Sequence, residues 1–297
     1  MEYLLHALDH ARHFQSSCAL APLLANANEH PRRMDRYLPT GTGSHEPEIA
    51  DAVVISDLHL GSENCQARLI TQFLELVANQ VIRTRRLIIN GDVFDSIDFR
   101  RLKKTHWKVL SMLRRLSDKM EVIWTCGNHD GPAEIISHLL GVEVQEEYIF
   151  NSGGRRMMVL HGHRFDDFID DHPVLTWLAD VAYNTLQKLD RRHYVARLAK
   201  SRSKIFLHCL DKVEDRSTAH AKHHQCDVVI CGHTHHAIRK QRHAVEYVNS
   251  GCWTELPSTW LKIFNGVIEI NKFHPLAIAA TPMSAINIED EAHLAKA

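Results

Sequence analysis

The sequence has no pair of cysteines in Cys-x-x-Cys spacing, although it holds seven: Cys18, Cys65, Cys126, Cys209, Cys226, Cys231 and Cys252. An odd, scattered set argues against a disulfide framework and against a structural zinc knuckle. Reduced, buried thiols of a cytosolic protein are the expectation. There is no excess of either charge: 35 Lys and Arg stand against 36 Asp and Glu, a formal net charge of -1. No global field draws such a chain to nucleic acid or membrane, so any attraction of that kind is local. No run approaches the roughly 18 apolar residues of a membrane span. No basic stretch followed by an apolar core opens the chain, and Glu2 and Asp9 stand where a signal peptide avoids acids. A cytoplasmic protein is expected.

Apolar residues make up 44% of 297, enough for a sizeable core and for one large α/β domain with an elaboration. Histidine is abundant, at 23 residues, which points weakly to metal chemistry. Leu4, Leu5, Leu8, Ala11 and Phe14 recur at helical spacing, so residues 2–15 read as a short amphipathic helix. Pro22, Pro31, Pro39, Pro47 and Thr40–Ser44 make the stretch to residue 48 a linker arm. A main domain is expected over 49–282 and a polar tail over 283–297.

Within the main domain, short apolar runs read as buried strands: Ala52–Ser56, Leu87–Asn90, Val122–Thr125, Met157–Leu160 and Val228–Cys231. Helical faces lie between the first three, with Leu69, Phe73, Leu76 and Val77 on one and Trp107, Leu110, Leu113 and Leu116 on the other. Alternation of this kind implies an α/β sheet. Residues 167–222 break the rhythm as a helical insertion. It holds Pro173 at a helix start and a basic stretch of Lys188, Arg191, Arg192, Arg197, Lys200, Arg202 and Lys204. Such a stretch can bind a diphosphate or lie on an anionic bilayer. Val245–Val248, Leu261–Phe264 and Val267–Ile270 read as antiparallel strands closing the sheet.

The chemistry follows the strands. After them come Asp57-Leu58-His59, Gly91-Asp92-Val93-Phe94-Asp95, Gly127-Asn128-His129-Asp130, His161-Gly162-His163 and Gly232-His233-Thr234-His235. Sites in open α/β sheets form at the carboxyl ends of strands. Asp57 and His59, two apart on extended chain, can both face one ion, and His233 and His235 repeat that spacing. Asp92 can bridge two cations through its two oxygens, and Asn128 offers a neutral one. The glycines before Asp92, Asn128 and His233 permit close backbone approach. Two cations roughly 3.5–4 Å apart can activate a bridging water and clamp phosphoryl oxygens. Cys126 and Cys231 precede motif glycines but read as small core residues.

These motifs resemble the calcineurin-like metallophosphoesterase superfamily: Asp-x-His, Gly-Asp-x-x-Asp, Gly-Asn-His-Asp, His and Gly-His-x-His over about residues 51–236. The resemblance implies a four-layer α/β/β/α fold, a β-sandwich flanked by helices. It implies that Asp57, His59, Asp92 and His235 hold one divalent metal and that Asp92, Asn128, His161 and His233 hold the other. It makes His129 the catalytic histidine, with Asp130 orienting it and Asp95 buttressing a ligand. Mn²⁺ is expected by resemblance, with Fe and Zn²⁺ also suited to imidazole and carboxylate. A scaffold that had lost catalysis would lack ligands, and all seven positions are filled here.

Leu160 to Trp253 is similar to one branch, the UDP-2,3-diacylglucosamine pyrophosphatases, which hydrolyse a diphosphate in a lipid A precursor. The similarity lies in His161–Asp166, in Cys231–His235, in Tyr247–Trp253 and in the long helical insertion. It implies a nucleotide-linked glycolipid substrate and peripheral membrane contact through the basic insertion. Arg164, Arg191, Arg192 and Arg197 become phosphate-contact candidates, since guanidinium matches phosphate geometry. The sequence departs from that branch in having His129 where its members carry Arg, and His163 where they tend to have Asp. A general phosphodiesterase or phosphatase on a soluble nucleotide or other phosphoester is the alternative.

Overall fold

The computed structural model describes residues 48–131, 137–138, 140–166 and 204–274. The expected N-terminal helix, the linker arm, the polar tail and most of the insertion, with Arg191, Arg192 and Arg197, lie outside the described residues.

Strand β1 (Ala52–Ile55) leads to helix α1 (Ala67–Ala78), β2 (Arg86–Asn90), α2 (Lys104–Ser117) and β3 (Glu121–Thr125). Then come β4 (Glu143–Gln145), β5 (Glu147–Ser152), β6 (Arg155–Leu160), α3 (Lys204–His223) and β7 (Val228–Cys231). The chain ends in β8 (Ile238–Arg242), β9 (Val245–Asn249), β10 (Ser258–Phe264) and β11 (Val267–Phe273). None of the described helices is long and apolar enough to cross a membrane.

The strands form two mixed sheets, ordered β11-β10-β1-β2-β3-β4 and β5-β6-β7-β9-β8. In the first, β1 to β4 are parallel and β10 and β11 add antiparallel pairing at one side. In the second, a parallel centre of β6, β7 and β9 is flanked by antiparallel β5 and β8. Successive side chains of a strand point to opposite faces, and this sorts the apolar runs into two cores. Ala52, Val54, Ile88 and Ile123 face one way and join Met157, Val159, Val228, Ile230 and Val248 of the other sheet. Val53, Ile55, Leu87, Ile89, Val122 and Trp124 face the other way, onto Leu69, Phe73, Val77, Val109 and Leu113 of α1 and α2. Both faces of the first sheet are thus dry, which is why its strands read as unbroken apolar runs. Each large side chain so buried contributes roughly 1.5–3 kcal/mol. The two facing sheets, with α1 and α2 on the outer face of the first, follow the expected α/β/β/α sandwich.

Two expectations change. Val245–Val248 pairs parallel with β7, in register Val228↔Glu246 to Cys231↔Asn249, and the antiparallel turn-back falls to β8. Trp107 is 55% exposed, and the buried face of α2 passes instead through His106, Val109, Met112 and Leu113. The six described cysteines are free thiols, with Cys231 in the core and Cys126 packed at its margin.

The chain divides into two compact units. One runs over Ala50–His163 and from Thr218 onward, and it contains both sheets. The described residues of the other are 48–49, 164–166 and 204–217. Within this second unit, Arg216 donates to the backbone oxygen of Phe165 (3.3 Å).

Candidate metal centre

Every expected ligand lies just beyond a strand's carboxyl end, inside the larger unit. The loops there are laced together by the backbone: Asp57 N donates to Gly91 O (3.1 Å), His59 N to Asp92 O (3.0 Å) and Trp253 N to Asp57 O (3.1 Å). The chain is not extended where the ligands leave it. Asp57, His59, Asp92, His233 and His235 have φ of 54°, 47°, 50°, 63° and 56°. The left-handed conformation costs each residue on the order of 1–3 kcal/mol, strain that collects where geometry is dictated by function. Each turn bends the chain immediately after its strand, so that side chains from separate strands meet.

They meet in two groups, Asp57–His59–His235 and Asp57–Asp92–His161, and in each group the ligand atoms lie within 4.8 Å of one another. His235 Nε2 is 3.1 Å from both Asp57 Oδ1 and His59 Nε2. Asp92 Oδ2 lies 3.2 Å from His161 Nε2 and 3.6 Å from His59 Nε2, which places this carboxylate between the two sets of imidazoles. Asp57 belongs to both groups. The His233 ring packs edge-on to His161, with centroids 5.4 Å apart. Asn128 is exposed in the turn after β3.

Second partners hold the ligands in place. His161 Nδ1 sits 2.9 Å from Asn90 O, which gives that nitrogen the proton and directs Nε2 to the site. That Nε2 is buried and makes no hydrogen bond. Asp57 accepts from the His233 amide (3.1 Å), and Asp92 Oδ1 from the His129 amide (3.0 Å). The motif glycines are where close approach demands them. A Cβ on Gly91 would lie 2.2 Å from His161 Nδ1, one on Gly127 2.2 Å from Asp92 Oδ1, and one on Gly232 2.6 Å from Asp57 Oδ2.

The electrostatics favour cations. Burial works against charge on the Asp57 carboxyl, but His235 draws it below the ordinary value. Burial opposes charge on Asp92 too, yet His161, His59 and His129 hold it well below the carboxylate range. Burial would lower His161, and Asp92 and Asp57 overrule it, pushing the imidazole up to about 10. His59 rises similarly, through Asp95, Asp92 and Asp57. A field that holds protons so firmly also holds metal ions, which exchange for those protons. A buried nitrogen without a hydrogen bond, acceptors on converging loops and a donor set free of thiolate fit a pair of first-row divalent ions.

Asp130 differs from expectation. Its oxygens accept from the amides of Asp92 (3.0 Å), Phe94 (3.1 Å) and Gly127 (2.9 Å) and from Trp124 Nε1 (3.0 Å). It therefore clamps the loops after β2 and β3. Burial and the nearby Asp92 raise its pKa, and the amide bonds work against that rise. The His129 ring is set instead by Asp95 O, 3.0 Å from Nδ1. Asp95 Oδ1 lies 3.7 Å from His59 Nδ1, and its carboxylate pairs with Arg101. Arg164 falls in the other unit, its guanidinium over the Phe165 ring.

Sequence reasoning missed Asn90 and Arg101. Asn90 bonds Thr125 Oγ1 (2.7 Å) and Ile230 O (3.3 Å) while its carbonyl sets His161. An amide ending a buried apolar strand was the available signal.

A family profile described as calcineurin-like phosphoesterase matches residues 51–237. Among curated proteins, the DNA polymerase II small subunit of Halobacterium salinarum is 24% identical over 247 residues. That match takes in 74% of this chain, which spans about half (47%) of that relative's length. Among solved structures, an E. coli phosphoesterase, Yfce, is 18% identical with a TM-score of 0.41, covering 75% of this chain and 99% of that one. An archaeal phosphodiesterase is 15% identical with a TM-score of 0.40, covering 74% and 98%.

Proposed function

This chain belongs to the calcineurin-like phosphoesterase family, and from that premise we propose that its paired centre hydrolyses phosphodiesters. The observation that carries the reading is the Asp92 carboxylate, set between His161 and His59 through Oδ2 and held by the His129 amide through Oδ1. Asp57, His59, Asp92 and His235 would hold one ion, and Asp92, Asn128, His161 and His233 the other, with Mn²⁺ the proposed metal. Such a pair, when bound, supplies Lewis-acid charge to a phosphoryl group and lowers the pKa of a water.

The chain's own residues do the rest. His129 is exposed beside His59, their ring centroids 5.2 Å apart. With Nδ1–H donating to Asp95 O, its Nε2 is the nitrogen left to face substrate. In the imidazolium form, with both nitrogens protonated, it can meet a phosphate oxygen and pass its Nε2 proton to the leaving group. Arg101 neutralises Asp95 beneath it.

A second reading narrows the substrate to a UDP-linked diacylated sugar and adds contact of the insertion with a membrane surface. It rests on the motifs at His161–Asp166 and Tyr247–Trp253. The discriminating experiment is hydrolysis in Mn²⁺ of bis-p-nitrophenyl phosphate beside UDP-2,3-diacylglucosamine. Turnover of the generic diester alone supports a soluble phosphodiester substrate. UMP release from the glycolipid, lost in Asp92→Ala, supports the lipid reading. Turnover of neither overturns both.

A further inference from the structure

A second cluster of metal-ligating side chains lies in the larger unit and shares no residue with the paired centre. His220 is in the last turn of α3, His224 follows the helix, and Glu147 opens the edge strand β5. His220 Nε2 is 2.8 Å from Glu147 Oε2, and the His220 and His224 rings lie 4.4 Å apart. One nitrogen or oxygen from each of the three lies within 4.8 Å of the others.

We propose that Glu147, His220 and His224 form a third metal site, which takes a zinc-class divalent cation and clasps the end of α3 to β5.

The placement follows from helix geometry. His224 N donates to His220 O (3.1 Å), so the α-helical turn continues through residue 224 and stacks the two imidazoles on one face. Cys226 fixes the turn beyond, its amide donating to Ala221 O (2.9 Å) and its thiol to His224 O (3.6 Å). Two imidazoles and one carboxylate are a donor set for zinc, with a fourth position left for water or another ligand. Ligand atoms around a tetrahedral zinc stand about 3.4 Å apart, given bonds of about 2.0–2.2 Å. His220 and Glu147 are only partly buried and His224 is exposed, which leaves their side chains room to close on an ion. The location suits a cation as well: the carboxyl end of α3 carries roughly half a negative charge, beside the carboxylate of Glu147. The His220–Glu147 hydrogen bond joins two of these side chains, whereas a shared ion uses all three.

The test uses the full chain and zinc alone. Wild type, the His220→Ala/His224→Ala double variant, Glu147→Gln and His223→Ala are dialysed against the same micromolar free zinc and counted by elemental analysis. His223 is an exposed neighbour outside the cluster and serves as control. The double variant and Glu147→Gln should each hold one zinc per chain fewer than wild type, and His223→Ala should match wild type. Added zinc should raise the melting temperature of wild type more than that of the double variant. Turnover of bis-p-nitrophenyl phosphate in Mn²⁺ should be equal in all four, which keeps this outcome separate from failure of the paired centre. Equal zinc counts in wild type and the double variant would overturn the proposal, as would a loss of zinc in His223→Ala.

Discussion

The backbone amide of His129 donates to Asp92 Oδ1 across 3.0 Å, so the residue proposed to meet the leaving group is tied to the carboxylate that lies between the imidazoles. One peptide group couples the position of the proposed acid to that of the proposed metal ligand. The two roles still separate on mutation, because the side chain of His129 is no part of that bond.

Replacing His129 by Ala should therefore lower kcat by about 10²–10⁴, the range for losing a general acid. Manganese content by elemental analysis should match wild type, since the amide stays. A variant that lost its metals along with its activity would make His129 a structural residue.

Gly127→Ala tests the cradle. Its Cβ would fall 2.2 Å from Asp92 Oδ1 and 2.3 Å from Asp92 N, so either the loop or the carboxylate must shift. A cost of about 1–3 kcal/mol follows from overpacking, with a weaker hold on manganese. Gly154→Ala is the contrast. Its φ is +76° but nothing lies within 4 Å of the added carbon. That change should cost only about 1 kcal/mol in urea denaturation and leave activity unchanged.

Asp130→Asn should destabilise the fold by at least about 2 kcal/mol, measured in urea. It replaces charge-assisted bonds by neutral ones and turns an amide NH₂ toward other donors. A role confined to orienting His129 would predict a loss of kcat with little loss of stability.

The Cys65 thiol, which burial pushes up to about 12, should resist iodoacetamide at pH 8 in the folded protein. Thiolate is the reactive form, and a raised pKa keeps the folded protein protonated where an unfolded chain already ionises. Stability from this group is thus intact below pH 9 and is lost as the pH climbs toward 12. Peptide mapping after alkylation of folded and urea-unfolded protein checks it, with labelling expected only in the unfolded sample.

The strand ends were legible because each dry apolar run stops abruptly at a Gly, Asp or His, and alternation along β1 to β3 shows both faces buried. Strand β8 was not, since Ile238–Arg242 is a polar edge with three exposed residues, and no periodicity marks a strand held mainly by its backbone. Without it, β9 appeared to need an antiparallel neighbour and its parallel pairing with β7 was hidden. Within the site, residue types announced Asp57, His59, Asp92, His161, His233 and His235. The left-handed turns that gather them stayed out of view, because Asp and His, although enriched at positive φ among non-glycine residues, do not mark it as Gly does. The partners of Asp130 were equally hidden: its donors are three amides and an indole, and no side-chain pattern encodes an amide's direction. The His220–His224 spacing is visible in the sequence, but Glu147 joins it only through the fold.

The most direct test of the paired centre is the rate of bis-p-nitrophenyl phosphate hydrolysis as Mn²⁺ is returned to chelator-stripped protein, wild type beside Asp92→Ala. The wild-type rate should rise from background and level off once about two ions per chain are bound, while Asp92→Ala stays at background with its circular dichroism unchanged. Full activity in the presence of chelator, or an Asp92→Ala protein that binds manganese and turns over like wild type, would contradict the account.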